Sequence, residues 1–87
     1  MTHHASPRFW VSYNALPVEV RRLADASFKL LKTNASHPSL QFKRVGRFRS
    51  VRVGLHYRAL GIESGDDDVA WFWIGHHSEY DRLIGKR

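Results

Sequence analysis

The sequence predicts an α+β domain in which a long helix in the N-terminal half packs on one face of a small antiparallel sheet. Three observations predict it. Apolar residues recur at helical spacing in the first half of the chain, and short glycine-bounded alternating segments follow in the second half. A polar segment that starts with a serine then predicts a short C-terminal helix. The sheet is expected to have three to four strands, with the helices covering one face.

The long helix is predicted over residues 16–32. Pro17 is tolerated in a first helical turn, and Glu19 lies near the positive end of the helix dipole. Asn34 is expected to terminate the helix, because Pro38 follows soon after it. Residues at helical spacing form the face expected to pack on the sheet: Leu16, Val20, Leu23, Ala24, Ser27, Leu30 and Leu31.

The residues ahead of this helix give two possible structures. Residues 1–6 are expected to be a loose tail. Ser6 and Pro7 can cap and start a short helix, whereas the alternation of apolar residues over 9–13 suits a strand. Periodicity does not decide between them, and we favour a helix for residues 7–14.

Strands are predicted in the second half of the chain. Residues 40–45 form either a short strand or an extended connector. Residues 47–53 and 55–62 are expected to pair as strands, with Gly54 in or near their turn. Residues 69–74 are apolar at both odd and even positions, which is typical of a strand buried on both faces inside a sheet.

The chain ends in a predicted helix that is capped by Ser78 and ended by Gly85. Its acidic residues, Glu79 and Asp81, are expected in the first turn, near the positive end of the helix dipole.

Composition narrows the class of protein. The chain has 87 residues, which fits one domain over residues 1–87. It has no Cys, which excludes disulfides and thiolate chemistry. Fourteen Lys and Arg against eight Asp and Glu give a net charge of +6, which favours polyanionic partners. No apolar run is long enough to span a membrane, and no signal peptide is evident, so a cytoplasmic location is expected.

The most informative segment runs from Gln41 to Arg58 and contains no acidic residue. Same-face neighbours on a strand lie about 6.6 Å apart, close to the phosphate spacing of a nucleic-acid strand. The alternative is a solvated sheet edge protected by charge against aggregation. The hairpin register stays open, so the arginines that share a face cannot be assigned. The six cationic residues of this segment are Lys43, Arg44, Arg47, Arg49, Arg52 and Arg58.

A second polar cluster, residues 76–80, follows the apolar strand. If the strands pair, His77 comes near His56 or Arg58. A base, an arginine and an acid suffice to cleave RNA through its 2′-hydroxyl, and His titrates near neutral pH. The alternative is a set of polar residues at the end of a sheet. No metal site is predicted, because the spacing of the His residues matches no known metal-binding motif.

Residues 37–43, 50–60 and 71–80 together resemble the RelE/ParE toxin superfamily, in particular its small HigB/RelE-like members. The resemblance covers about residues 9–84. It implies a compact toxin of a type II toxin–antitoxin system that is neutralised by a cognate antitoxin. RelE-like toxins cut mRNA on the ribosome without metal or cofactor, whereas ParE-like relatives inhibit DNA gyrase. An inactive member that only binds RNA or protein is the third possibility.

The resemblance also implies roles for individual residues. Arg58 matches the sheet arginine that contacts the scissile phosphate, and Tyr80 resembles the tyrosine that aids positioning or proton transfer. His77 falls near the C-terminal Arg or His of the family. Because Gly75 is followed by two histidines, His76 is the alternative counterpart. Nucleic-acid contacts are expected from Lys43, Arg44, Arg47, Arg49, Arg52 and His56.

Overall fold

The computed structural model describes residues 2–65 and 67–85. The fold is α+β, as predicted, but the sheet within the described residues has five strands rather than three to four, in the order β1-β5-β4-β3-β2. The β1–β5 pair is parallel and the other pairs are antiparallel, so the sheet is mixed. The elements are β1 (Thr2–Ala5), α1 (Pro7–Asn14), α2 (Val18–Thr33), a 3₁₀ turn (Pro38–Leu40), β2 (Lys43–Val45), β3 (Phe48–Val53), β4 (Tyr57–Glu63), β5 (Asp68–His76) and α3 (His77–Leu83).

The N-terminal segment corrects the expectation of a loose tail over residues 1–6. Residue 1 lies outside the described residues, and Thr2–Ala5 pairs with β5 as a parallel edge strand. His3 is buried on this strand, and its Nδ1 accepts a hydrogen bond from Trp71 Nε1 at 3.1 Å. The strand was missed because its partner lies more than sixty residues away, and four residues are too few to show a period.

Helix α1 confirms the helical alternative for residues 7–14. The Ser6 side chain accepts a hydrogen bond from Phe9 N at 3.4 Å, and Pro7 occupies the first turn. Phe9 and Tyr13 pack against the hydrophobic core. The capping serine therefore predicted this element better than the alternation of apolar residues did.

Helix α2 lies close to its predicted bounds. Pro17 is its N-cap and Asn34 its C-cap. Val20, Ala24 and Leu31 are buried against the sheet, but Leu23 is 46% exposed. Leu23 was expected on the packing face; instead it lies at its margin, beside the turn that joins β3 and β4. In that turn Gly54 has a φ of +64°, a conformation that glycine adopts without strain.

The two faces of the sheet are covered by different helices. Val51 and Ala59 belong to the core cluster that includes α2 residues. Leu60 is fully buried but points to the opposite face, because successive strand residues alternate. Helix α3 packs on that second face, against β4 and β5. The expectation that all helices cover one face was therefore wrong, although the interior position of β5 is confirmed.

Helix α3 begins two residues earlier than predicted. Its N-cap is His76 rather than Ser78, and the His76 Nδ1 accepts a hydrogen bond from Ser78 N at 3.2 Å. An extended backbone at His76 brings its ring nitrogen to the position that a serine oxygen usually takes. Gly85 follows the helix with a φ of +77°. None of the helices among the described residues is sufficiently long and apolar to cross a membrane.

Candidate functional site

A cleft of about 320 Å³ lies where β4 and β2 meet helix α3. It holds four of the residues that the sequence singled out, from three separate segments of the chain. Its lining residues are Lys43, Leu55, Arg58, His77, Tyr80 and Asp81.

Arg58 and Tyr80 form the centre of this cleft. The guanidinium carbon of Arg58 lies 6.0 Å from the centroid of the Tyr80 ring, which is a cation–π contact. Arg58 Nη1 also donates a hydrogen bond to the backbone oxygen of Tyr57 at 3.0 Å. Tyr80 is 6% exposed because α3 packs it onto the sheet. The arginine is therefore held in place while keeping donors for an anion.

Three imidazoles gather beside the cleft. The ring centroids of His76 and His77 are 4.4 Å apart, and His56 lies 6.2 Å from each of them. The backbone N–H of His77 donates to the oxygen of His56 at 2.8 Å, which ties the β3–β4 turn to the start of α3. The predicted approach of the strands thus brings both His56 and Arg58 near His77.

The two adjacent histidines occupy different positions. His77 lines the cleft, whereas His76 is not among its lining residues and caps α3. The geometry therefore favours His77 over His76 as the imidazole that can meet a substrate. The catalytic roles themselves stay predictions.

The register of the hairpin sorts the basic residues by face. Arg52 pairs directly with Arg58, and Lys43 pairs with Ser50, so these cations share the face that carries α3. Arg52 Nε donates to the oxygen of Gly54 at 2.9 Å. This face therefore collects the cationic side chains nearest the cleft.

Arg44 and Arg49 lie on the other face and are paired with an acid. Arg44 and Arg49 are register partners, and both bind Glu63 Oε1, at 2.8 and 2.6 Å. The hydrogen bond from Arg49, together with the weaker one from Arg44, lowers the pKa of Glu63 below its ordinary value. Glu63 offsets one of these two positive charges, and both side chains lie on the face away from the cleft. Their contacts with nucleic acid stay predictions.

Arg47 lies beside a second, more apolar groove. Its guanidinium carbon is 5.4 Å from the centroid of the Phe48 ring, and Arg8 is placed similarly, 5.9 Å from the Phe72 ring. The Phe48 and Phe72 rings contact each other at 5.9 Å. The groove also includes Leu60, Ile62, Ala70 and Leu83.

Asp81 is the functional candidate that the sequence analysis missed. It was interpreted only as an acidic residue in the first turn of a helix. Asp81 follows His77 by four residues on α3, and residues at that spacing share a helix face. That spacing, together with the position directly after Tyr80, is the signal that could have identified it.

The site offers no evident metal centre. Although three imidazoles lie close together, residues 2–65 and 67–85 contain no group of three or more His, Asp or Glu side chains placed to hold a metal ion.

Comparison with known proteins identifies similar folds but no similar sequences. No family model matches the chain, and no curated protein sequence matches it significantly. A chain of the RelB–RelE antitoxin–toxin complex from Methanococcus jannaschii is 19% identical, with 92% of this chain and 98% of that chain covered and a TM-score of 0.68. The isolated RelE toxin of E. coli is 12% identical, with coverages of 95% and 97% and a TM-score of 0.61.

A third solved structure agrees with these two. A copper-bound mutant toxin from Helicobacter pylori is 18% identical, with coverages of 91% and 97% and a TM-score of 0.60. The chain therefore has an α+β fold that these toxins share over nearly their whole length. That fold is the RelE-like toxin fold, which confirms the fold implied by the resemblance in sequence.

Proposed function

We propose that this protein is the toxin of a type II toxin–antitoxin system and acts as a metal-independent, ribosome-associated endoribonuclease. The observation that carries the proposal is the convergence of Arg58, His77 and Tyr80 on one cleft. These residues come from β4 and α3, which are distant in sequence. An arginine, an imidazole and a phenol around a cavity suit the cleavage of a phosphodiester by an internal hydroxyl.

Arg58 supplies the electrostatic part of the reaction. Negative charge gathers on the phosphate oxygens as the 2′ oxygen attacks phosphorus, and a guanidinium binds two such oxygens at once. The contact with Tyr80 leaves Arg58 fewer conformations to lose when substrate binds. Lys43, which lines the same cleft, adds a second positive charge.

His77 and Tyr80 supply protons and orientation. In its charged form the imidazole of His77 donates a proton to the 5′ oxygen as that oxygen leaves. The proposal gives the Tyr80 hydroxyl a hydrogen bond to the phosphate or to the leaving oxygen. Burial of the ring supports this role, because it restricts the side chain to one orientation beside the cleft.

The partner in the proposed system is a cognate antitoxin. The structure from Methanococcus jannaschii is an antitoxin–toxin complex, and this chain matches one of its members in fold. A net charge of +6 favours an acidic partner segment on the basic face. Such a segment would cover the cleft and block access to RNA.

The test is to express the protein in cells and map the 5′ ends of mRNA. The proposal expects new ends within translated reading frames during growth arrest, and the same cuts when the purified protein acts on programmed ribosomes. Transcripts that stay intact in arrested cells would rule out the nuclease function. Co-expression of the neighbouring reading frame tests the antitoxin, since a cognate antitoxin restores growth.

Inhibition of DNA gyrase is the second candidate. The groove between Arg8 and Arg47 exposes apolar surface, with Ile62 41% and Leu83 47% exposed, and such a surface suits a protein contact. A supercoiling assay with purified gyrase separates the two functions. Unaltered supercoiling at saturating protein argues against this candidate.

A further inference from the structure

Among the residues that the structure describes, Asp81 is the one acidic side chain that lines the cationic cleft. It is half-buried, and it forms no hydrogen bond or ion pair with any residue that the structure describes. Glu63, on the other face of the sheet, behaves differently, because it is bound by two arginines. Within residues 2–65 and 67–85 the Asp81 carboxylate is thus unpaired, although Lys43, Arg58 and His77 line the same cleft.

A carboxylate is unfavourable in a site that binds only phosphate. Its charge repels the anion, and it can accept hydrogen bonds but not donate them. It is useful when the ligand brings a donor beside its phosphate. In a nucleic acid the donor next to the phosphate is the ribose 2′-hydroxyl, which RNA has and DNA lacks.

We infer that Asp81 accepts a hydrogen bond from the ribose 2′-hydroxyl, so that the cleft selects RNA over DNA, and that it takes this proton during cleavage. The role of Asp81 in taking the proton rests on the proposed nuclease function. Selection of ribose by binding stands independently of cleavage.

Two side chains of this cleft account for both proton transfers. Asp81 takes the 2′-hydroxyl proton as the 2′ oxygen bonds to phosphorus, and the bond from phosphorus to the 5′ oxygen breaks. His77 gives its proton to that 5′ oxygen. The products are a 2′,3′-cyclic phosphate and a 5′-hydroxyl, and the proton on Asp81 passes through solvent to His77, which restores both groups.

The first experiment measures binding of the purified protein to an RNA 12-mer and to its all-2′-deoxy counterpart by fluorescence anisotropy, without ribosomes. The wild type is expected to prefer the RNA about tenfold, as one charge-assisted hydrogen bond provides. In Asp81→Asn the preference falls towards one, because affinity for the deoxy oligonucleotide is kept or rises. Asp81→Glu, which retains the carboxylate, is expected to retain a preference.

Glu79→Gln is the matched control. Glu79 lies on the same helix, is exposed and does not line the cleft, so the variant makes the same change of charge away from the site. It is expected to keep the wild-type preference for RNA. Thermal unfolding followed by circular dichroism confirms that the variants remain folded.

The second experiment measures cleavage on programmed ribosomes over a range of pH. Asp81→Asn is expected to lower the rate by about 100-fold or more and to remove the acidic limb of the pH profile, as loss of a proton acceptor does. Glu79→Gln is expected to keep both the rate and that limb.

The outcomes separate this inference from the proposed function. Equal affinity of the wild type for RNA and DNA overturns the assignment of Asp81, even if the protein cleaves mRNA. A wild type that prefers RNA, loses the preference in Asp81→Asn and cuts nothing supports ribose selection and overturns the nuclease. Absence of both RNA binding and cleavage overturns both.

Discussion

Arg58 shows how a single residue acquires a function through its neighbours. A strand arginine is usually a flexible, solvated side chain. Here one guanidinium nitrogen donates to the Tyr57 carbonyl oxygen, and the group lies over the ring of a buried Tyr80. A cation–π contact of this kind contributes about 0.5–2 kcal/mol. The contact matters less for stability than for holding the charge where a phosphate can meet it.

The first prediction concerns Arg58→Ala. We expect cleavage of mRNA on programmed ribosomes to fall by about 100- to 1000-fold, because the charge that stabilises the transition state is removed. The free energy of unfolding should fall by no more than about 2 kcal/mol, the upper value for the lost cation–π contact. Arg22→Ala is the control, since Arg22 is exposed on α2, on the opposite side of the sheet. Full activity in a folded Arg58→Ala protein would exclude the residue from the reaction.

At the scale of elements, β1 contributes more to the sheet and the core than its four residues suggest. It adds a parallel edge strand to β5 and brings the imidazole of His3 against the rings of Phe28 and Phe42. The hydrogen bond from Trp71 Nε1 requires an unprotonated Nδ1 on His3. Burial, with a smaller contribution from Lys32, lowers the pKa of His3 below its ordinary value of 6.5.

The second prediction follows from this pKa. The unfolded chain binds a proton at His3 at a higher pH than the folded chain does. The contribution of His3 to stability is therefore fully present above pH 6.5 and is lost as the pH falls through the lowered pKa of the folded state. We expect the melting temperature to fall by a few degrees across this interval in the wild type.

The variant that tests this prediction is His3→Asn. Its side-chain oxygen can accept the bond from Trp71 Nε1 but does not titrate, so the loss of melting temperature below pH 6.5 should be smaller than in the wild type. His4→Asn is the control on the same strand, because His4 is exposed. An identical pH dependence in all three proteins would contradict the assignment to His3.

At the scale of the whole molecule, the positive charge behind the net +6 is distributed unevenly over the surface. The sheet divides the basic segment between its two faces. Lys43, Arg52 and Arg58 share the face of α3, whereas Arg44 and Arg49 are bound to Glu63 on the other. The first group should therefore dominate the attraction for a polyanion.

The third prediction tests this division with two neighbouring residues. Lys43→Ala should weaken RNA binding and reduce the magnitude of the slope of log K against log salt by about 0.7, the value for one phosphate contact on a single strand. Arg44→Ala removes the same charge from the other face and should change the slope far less. Affinity is measured by anisotropy over a series of salt concentrations. Equal effects of the two substitutions would show that both faces contact RNA.

Some elements could be predicted from the sequence and others could not, because only some of them leave a local signal. The period of apolar residues predicted α2, and the cap at Ser6 predicted α1, because both signals are local. The strand β1 and the position of α3 on the second face depend on pairings between distant segments, which leave no local period. The predicted site residues Arg58, His77 and Tyr80 line one cleft in the structure. Asp81 becomes a candidate only through its position in that cleft, because its sequence neighbours suggest nothing more than an acidic residue in a helix.

By itself the sequence determined the α+β class, the long helix, the buried strand β5 and the cationic segment that attracts an anion. The tertiary structure decided which cations face the cleft, which of the adjacent histidines lines it and which acid joins them. The reason lies in the pleat of a strand, since a shift of one residue in register exchanges its two faces. The register is set by the packing of the whole sheet against its helices, and no single segment carries that information.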